Sequence, residues 1–324
     1  MSEAGGRLTT PVPVVLHGGA LGDLLLLLST LLRNPGIARG GCGFVSRVDP
    51  GLERCRPAVL HRSSEGVGLH WLFAESTGPP SAGLRALLAD RVVINALGGP
   101  DSLVHQRLLA LSPKRVMSID ARPDTQSSRH ITEVWGDALL SAGFELGDRA
   151  TLSPSAEMTD AGRNLASAAR VTGEFVAIHP GSGGRSKCWP LGNFMELARE
   201  VVRRGRAPLF VIGPAEVERW HDRHSNSGAM TDVEAIQQSY ATIVNPTATA
   251  LAAILAAASS YFGNDSGPTH LAALLGTRCT ALFGPTNPEV WAPRGPHVRV
   301  IRSEPLLAPD WGIPVSHVVD WPAA

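Results

Sequence analysis

Short apolar or β-branched runs alternate with helical periodicity through most of the chain, the pattern of parallel α/β structure. In the first half, PVPVVLH (11–17) predicts a buried strand. The glycine-rich turn from His17 to Gly22 follows, then a helix from Asp23 to about Asn34. GCGFVSR (41–47), RVVINAL (91–97) and KRVMSID (114–120) predict further strands, and a helical pattern covers Ile131 to Ala142. The second half repeats the scheme. Helices are expected over 156–169 and 193–204, with strands at FVAIHP (175–180), APLFVIG (207–213) and ATIVN (241–245). Thr247 or Thr249 can cap an alanine-rich helix that runs to Ala258. Strand SSYFGN (259–264), helix 267–275 and strand TRCTALFG (277–284) complete the pattern. Parallel strands need crossover connections. The boundary between the halves falls near residues 150–172, and the proline-rich end of the chain predicts an irregular tail.

Composition narrows the function classes. The 324 residues are 44% hydrophobic and 18% charged, which supports packed cores rather than disorder. Basic and acidic residues cancel at 29 each, so no basic excess points to nucleic acid or an anionic membrane surface. Cys42, Cys55, Cys188 and Cys279 form no CxxC pair, which argues against a zinc site or a disulfide framework. The N-terminus shows no signal-peptide pattern. The apolar run from Leu24 ends at Leu32, short of the roughly 20 residues that span a bilayer. A cytoplasmic protein without a transmembrane segment is expected. Of the seven tryptophans, Trp189 and Trp291 lie in candidate site loops as anchors, and Trp311 and Trp321 tie down the tail.

The most informative segment is Tyr261 to Gly276, where a strand ends and a helix begins within a few residues. Asp265 or Ser266 can cap that helix, Pro268 suits its first turn, and Gly267 lets a ligand approach the backbone closely. Free N–H groups at a helix start, backed by aligned peptide dipoles, form an anion site. A well-capped helix with no ligand would read the same way. Two further loops follow strands in this half. HPGSGGRSKCWP (179–190) carries Arg185 and Lys187, cations suited to a leaving diphosphate, and FGPTNPEVWAP (283–293) is a rigid loop. All three loops would converge on one cleft.

The segments NDSGPTHLAALLG (264–276), HPGSGGRSKCWP (179–190), VIGPAE (211–216), LFGPTNPEVWAP (282–293) and the leading ALGDLLLLLSTL (20–31) resemble the heptosyltransferase-type glycosyltransferases, the ADP-heptose:lipopolysaccharide enzymes and their relatives. The resemblance is strong from 175 to 295 and thinner between 40 and 150. It implies a GT-B fold, two Rossmann-like domains facing across a cleft. Residues 1–153 would be the acceptor domain, 154–305 the nucleotide-sugar domain, and 306–324 a tail packed back on the first domain. Asp265, Ser266, Gly267 and His270 match the donor-binding motif, and Ser182 and Thr269 lie in the same donor segments. Glu216 is a candidate nucleotide contact, and Lys187 matches the diphosphate-binding lysine. Asp23, after the acceptor-side Gly22, aligns with the catalytic base of the Gly-Asp motif.

The implied reaction is an inverting, metal-independent transfer with no cofactor. Its donor is a nucleotide-diphosphate sugar, ADP-heptose by default. Its acceptor is a saccharide or lipopolysaccharide-core-like molecule, with a membrane-associated glycolipid among the candidates. An inverting transfer needs a carboxylate to take the acceptor proton, although Asp23 could equally stabilise its helix N-terminus. No DxD pair occurs to bridge a metal to the diphosphate. Lys187 and helix amides would therefore stabilise the leaving charge, and Lys187→Ala should lower turnover while leaving folding intact. The loop before Gly22 lacks the family's basic residue and hydroxyl, so an acceptor other than the phosphorylated inner-core sugar is open.

Other readings are a nucleotide-sugar epimerase of the same fold and a catalytically silent nucleotide-sugar-binding module. A nicotinamide-dependent dehydrogenase fits poorly, because the turn at 18–22 fails GxGxxG and no acidic residue ends the second strand. Neither a GxSxG elbow nor a Walker loop occurs.

Overall fold

The computed structural model describes residues 12–74, 78–121, 128–148, 151–221, 231–303 and 311–319. It divides into two units, Met1–Ala150 and Thr151–Ala324. The first contains β1 (Val14–His17), α1 (Leu21–Leu31), α2 (Pro35–Gly40), β2 (Cys42–Ser46), β3 (Cys55–Arg56) and β4 (Val59–Ser63). It continues with α3 (Ala82–Leu88), β5 (Val92–Ala96), α4 (Leu103–Leu109), β6 (Arg115–Ser118) and α5 (Ile131–Ser141). Its five-stranded sheet has the order β4-β2-β1-β5-β6, with every neighbouring pair parallel.

The second unit opens with β7 (Ser153–Pro154), α6 (Ala156–Ala168), β8 (Phe175–His179), α7 (Leu191–Arg203), β9 (Ala207–Ile212) and α8 (Pro214–His221). Then come α9 (Asp232–Ser239), β10 (Ala241–Val244), α10 (Ala248–Ala257), β11 (Ser260–Asn264), α11 (Gly267–Leu274) and β12 (Cys279–Phe283). It ends with α12 (Pro288–Trp291), β13 (Val298–Arg302) and α13 (Val315–Val319). The sheet order is β10-β9-β8-β11-β12-β13, again wholly parallel. Each sheet is Rossmann-like, running outward one way from its first strand and then restarting on the other side. The reversal falls between β1 and β5 in one unit and between β8 and β11 in the other, and open α/β sheets bind ligands at such points.

Local chemistry explains these elements. The run Leu24–Leu28 is buried throughout, so α1 is a core helix rather than an amphipathic one. Asn34 accepts the N–H groups of Gly36 and Ile37 and starts α2. Ser81 and Ser102 do the same for α3 and α4. These helices are too short to show periodicity, and their caps were the only sequence signal. Strands β4 and β13 were also not expected: both are edge strands whose alternation with His, Arg and Ser hides an apolar run. Thr247, not Thr249, caps α10.

The tail departs from expectation. Trp311, Ile313, Val318 and Val319 are buried in the core of the second unit together with Phe194 and Val201 of α7. Residues 311–319 thus pack into the core of the second unit, and they include a short helix. The apolar indole of Trp311 lies where a Cβ on Gly284 would approach to 2.4 Å, so glycine admits the ring. Residues 306–310 and Trp321 lie outside the described residues.

Helices α6 and α10 pack through Gly162, where a Cβ would come within 2.0 Å of the Ala253 carbonyl oxygen. Alanine favours a helix interior by about 1 kcal/mol over glycine, but backbone cannot yield cheaply. Gly162→Ala is therefore expected to destabilise, by about 1–3 kcal/mol, as a lower urea midpoint. A raised midpoint would show that the crossing relaxes.

Candidate functional site

Asn264 closes β11 and is fully buried. Its amide donates to the carbonyls of Pro180 (2.8 Å) and Gly181 (3.2 Å), and its oxygen accepts the backbone N–H of Trp189 at 3.0 Å. One side chain thus pins the 179–190 loop against the β11–α11 turn. The Ser182 hydroxyl adds a bond to the Asp265 carbonyl at 2.7 Å. Trp189 anchors the loop from within, edge-on to Phe194 with ring centres 5.1 Å apart.

This stitching carries Lys187 to Asp265, with Nζ 2.7 Å from Oδ2. Thr286, from the loop after β12, donates to the same oxygen at 2.8 Å. His270 Nε2 stands 3.6 Å from the other oxygen. Burial pushes the Asp265 carboxyl up, but His270 and Lys187 outweigh it and hold the group at about 2. The three loops expected to converge do so around this carboxylate.

Neither Asp265 nor Ser266 caps α11 through its side chain, contrary to expectation. Asp265 is committed to Lys187 and Thr286, and Ser266 occupies the cap position without a side-chain bond to the helix backbone. Gly267 opens α11, so its N–H has no intrahelical carbonyl available. Thr269 is fully buried. Its hydroxyl donates to the Asn264 carbonyl and lies near Tyr261 and Ser266, so it shapes the turn from behind. Glu216 is buried in the first turn of α8, where Oε2 accepts the Gly213 N–H at 2.9 Å. Its carboxyl group fills the space a Cβ on Gly181 would need, which puts it against the same loop.

In the first unit, Gly22 and Asp23 lie in the first turn of α1. A Cβ on Gly19 would meet Asp23 Oδ2 at 2.8 Å and His17 Cε1 at 2.9 Å, so both side chains flank this glycine. A pocket of about 610 Å³ opens at the strand ends, lined by His17, Arg47, Glu65, Leu69, Phe73 and Leu97 among others. Neither His17 nor Arg47 lies in a motif that marks it as a site residue along the sequence. Arg47 follows β2 and donates to the Gly18 carbonyl at 3.3 Å, which brings a cation from another strand beside this loop.

Burial lowers the His17 imidazole to about 4, more than the nearby Asp23 carboxylate raises it. Between pH 6.5 and 4 the unfolded chain takes up a proton that folded His17 refuses. Its contribution to stability is whole above pH 6.5 and is lost as pH falls to about 4, amounting to about 3 kcal/mol. Urea midpoints at pH 7.5 and 4.5 should therefore differ less in His17→Leu than in the parent. An equal difference would remove His17 as the cause.

Two parallel Rossmann-like units, the second with its loops gathered around a helix N-terminus, constitute a GT-B fold. Residues 123–312 match glycosyltransferase family 9 (heptosyltransferase). That is more than half of the chain, which belongs to this family. It is 27% identical over 198 residues to lipopolysaccharide heptosyltransferase 2 of Salmonella typhimurium, covering 59% of this chain and 55% of the relative. The chain thus aligns with about half or less of the length of the curated relatives it matches. Among solved structures, E. coli ADP-heptose LPS heptosyltransferase II superposes with TM-score 0.62 at 19% identity, over 95% of this chain and 96% of that one. The glycosyl transferase family 9 structure from Veillonella parvula gives 0.60 at 19%, over 91% and 86%. Among the described residues, no helix is long and apolar enough to cross a membrane.

Proposed function

We propose that this chain is an inverting glycosyltransferase that takes a sugar from a nucleotide-diphosphate donor in the second unit and passes it to an acceptor hydroxyl in the first. The observation that carries this reading is the 2.7 Å contact between Lys187 and Asp265, which sets a cation beside the first turn of α11. Dipole, amide and ammonium there would share one anionic ligand. Half-exposed Lys187 can turn to a diphosphate, with Asp265 and Thr286 as positioning residues. Ser182, Ser266, Gly267 and His270 surround the same point, and Glu216 supports the loop below it.

The acceptor oxygen attacks the anomeric carbon, the bond from that carbon to the diphosphate oxygen breaks, and Asp23 takes the hydroxyl proton. The nucleoside diphosphate leaves with the bond's electron pair, its charge met by Lys187 and the helix amides without a metal. ADP-heptose is the donor supported by the family, and the acceptor is a saccharide, free or on a glycolipid. Family membership and the positions of the motif residues support both assignments.

Ligand binding to folded protein raises stability by about 2.7 kcal/mol at a hundredfold excess over Kd. ADP and ADP-heptose should therefore raise the melting temperature, and Lys187→Ala should cut the shift sharply. If no nucleoside diphosphate or nucleotide sugar shifts the parent protein, the donor site is misassigned. Isomerised donor appearing without acceptor would instead favour an epimerase.

A further inference from the structure

Tyr261, the second residue of β11, is fully buried. Its ring runs along the strand over Gly263, where a Cβ would collide with the phenol oxygen, so glycine lets that hydroxyl reach the first turn of α11. There it meets the Thr269 hydroxyl at 3.0 Å, and the Ser266 hydroxyl lies 3.1 Å from the same Thr269 oxygen. The third contact of that oxygen is the Asn264 carbonyl. Thr269 is fully buried as well, whereas Ser266 is partly exposed at the start of the helix.

Valence fixes the order of protons along this chain of hydroxyls. A carbonyl oxygen only accepts, so the single proton of Thr269 goes to Asn264. Two lone pairs remain on Thr269 for two donors. Burial pushes the Tyr261 phenol well up, so it stays protonated and fills one of them. Ser266 fills the other. An ionised phosphate oxygen also only accepts, so Ser266 must turn its one proton away from Thr269 to bind one. Thr269 then keeps a donor because Tyr261 supplies it, and a buried acceptor stripped of its donor is costly.

We propose that Tyr261 and Thr269 are positioning residues for the donor diphosphate. Thr269 holds the Ser266 hydroxyl at the start of α11, and Tyr261 satisfies Thr269 when that hydroxyl turns to a phosphate oxygen. Both act from behind the site and touch no ligand. The proposal rests on the reading that the second unit binds a nucleotide-diphosphate donor, and it assigns the groups that set one of its contacts.

The test uses the full chain and whichever of ADP, GDP and UDP it binds tightest. Affinities come from calorimetry, with melting temperatures taken alongside. Tyr261→Phe and Thr269→Val should each weaken the nucleotide about fivefold to tenfold. Thr269→Ser, which keeps the hydroxyl, should restore most of the affinity. In a Ser266→Ala background no proton is left to direct, so the same two substitutions should change affinity by less than about twofold. General damage to the fold would weaken binding equally in both backgrounds. Tyr261→Phe removes one oxygen and keeps the ring, so it carries the test if Thr269→Val does not fold. Equal losses with and without Ser266, parental affinity in Tyr261→Phe, or Thr269→Ser binding as weakly as Thr269→Val each overturns the proposal. Parental affinity in Ser266→Ala sinks it too but leaves the donor site in place; no nucleotide binding by the parent sinks both.

Discussion

Asp23→Asn is expected to lower kcat by about 10²–10⁴-fold, the span that general-base catalysis supplies, with little change in donor affinity. Asparagine keeps the shape of the side chain beside Gly19 but cannot accept a proton. The alternative role, a carboxylate facing a helix dipole, is worth only about 0.3–1 kcal/mol, so the variant should fold normally. The two roles then separate cleanly. Single-turnover rates with a transferable acceptor, measured beside donor binding, decide between them. Activity within a few-fold of the parent would mean that another group removes the proton.

Lys187→Met is expected to cost about 10²–10³-fold in turnover, the usual loss when one preorganised charge-stabilising donor is removed. The sequence alone suggested that removing this lysine would leave folding intact, and the structure changes that expectation. Asp265 is only 7% exposed and would lose its nearest counter-charge. Breaking a fully buried pair costs about 3–5 kcal/mol; here the cost is smaller, since Lys187 is partly solvated and His270 and Thr286 remain. The informative comparison is therefore Lys187→Met with Asp265→Asn added. Neutralising the stranded carboxylate should recover stability without recovering turnover. Recovery of both would make Lys187 a structural residue and place the leaving-group charge elsewhere.

Much of the second unit was legible along the chain. Strands β8, β9, β11 and β12 are fully or nearly fully buried apolar runs, and the loops between them carry glycine, proline and cap residues at spacings with few structural solutions. The 264–276 segment signalled its strand-to-helix turn because each residue in it has a narrow conformational use. The first unit was harder to read. Helices α2, α3 and α4 run six or seven residues, too short for a period of 3.6 to declare itself. Strand β4 lies at a sheet edge, where polar side chains interrupt the apolar signal.

By itself, the order of residues determined the parallel α/β class, the paired halves and the three strand-end loops that meet around Asp265, since each of these follows from short-range periodicity and turn chemistry. Only the tertiary structure decided what those side chains do to one another. It turned Asp265 from a supposed cap into the partner of Lys187, bent Trp311 into the second core, and left His17 buried beside Asp23 at the wall of a pocket that Arg47 reaches from another strand. Such pairings join residues tens of positions apart, and their energies depend on burial and distance, which no local pattern encodes.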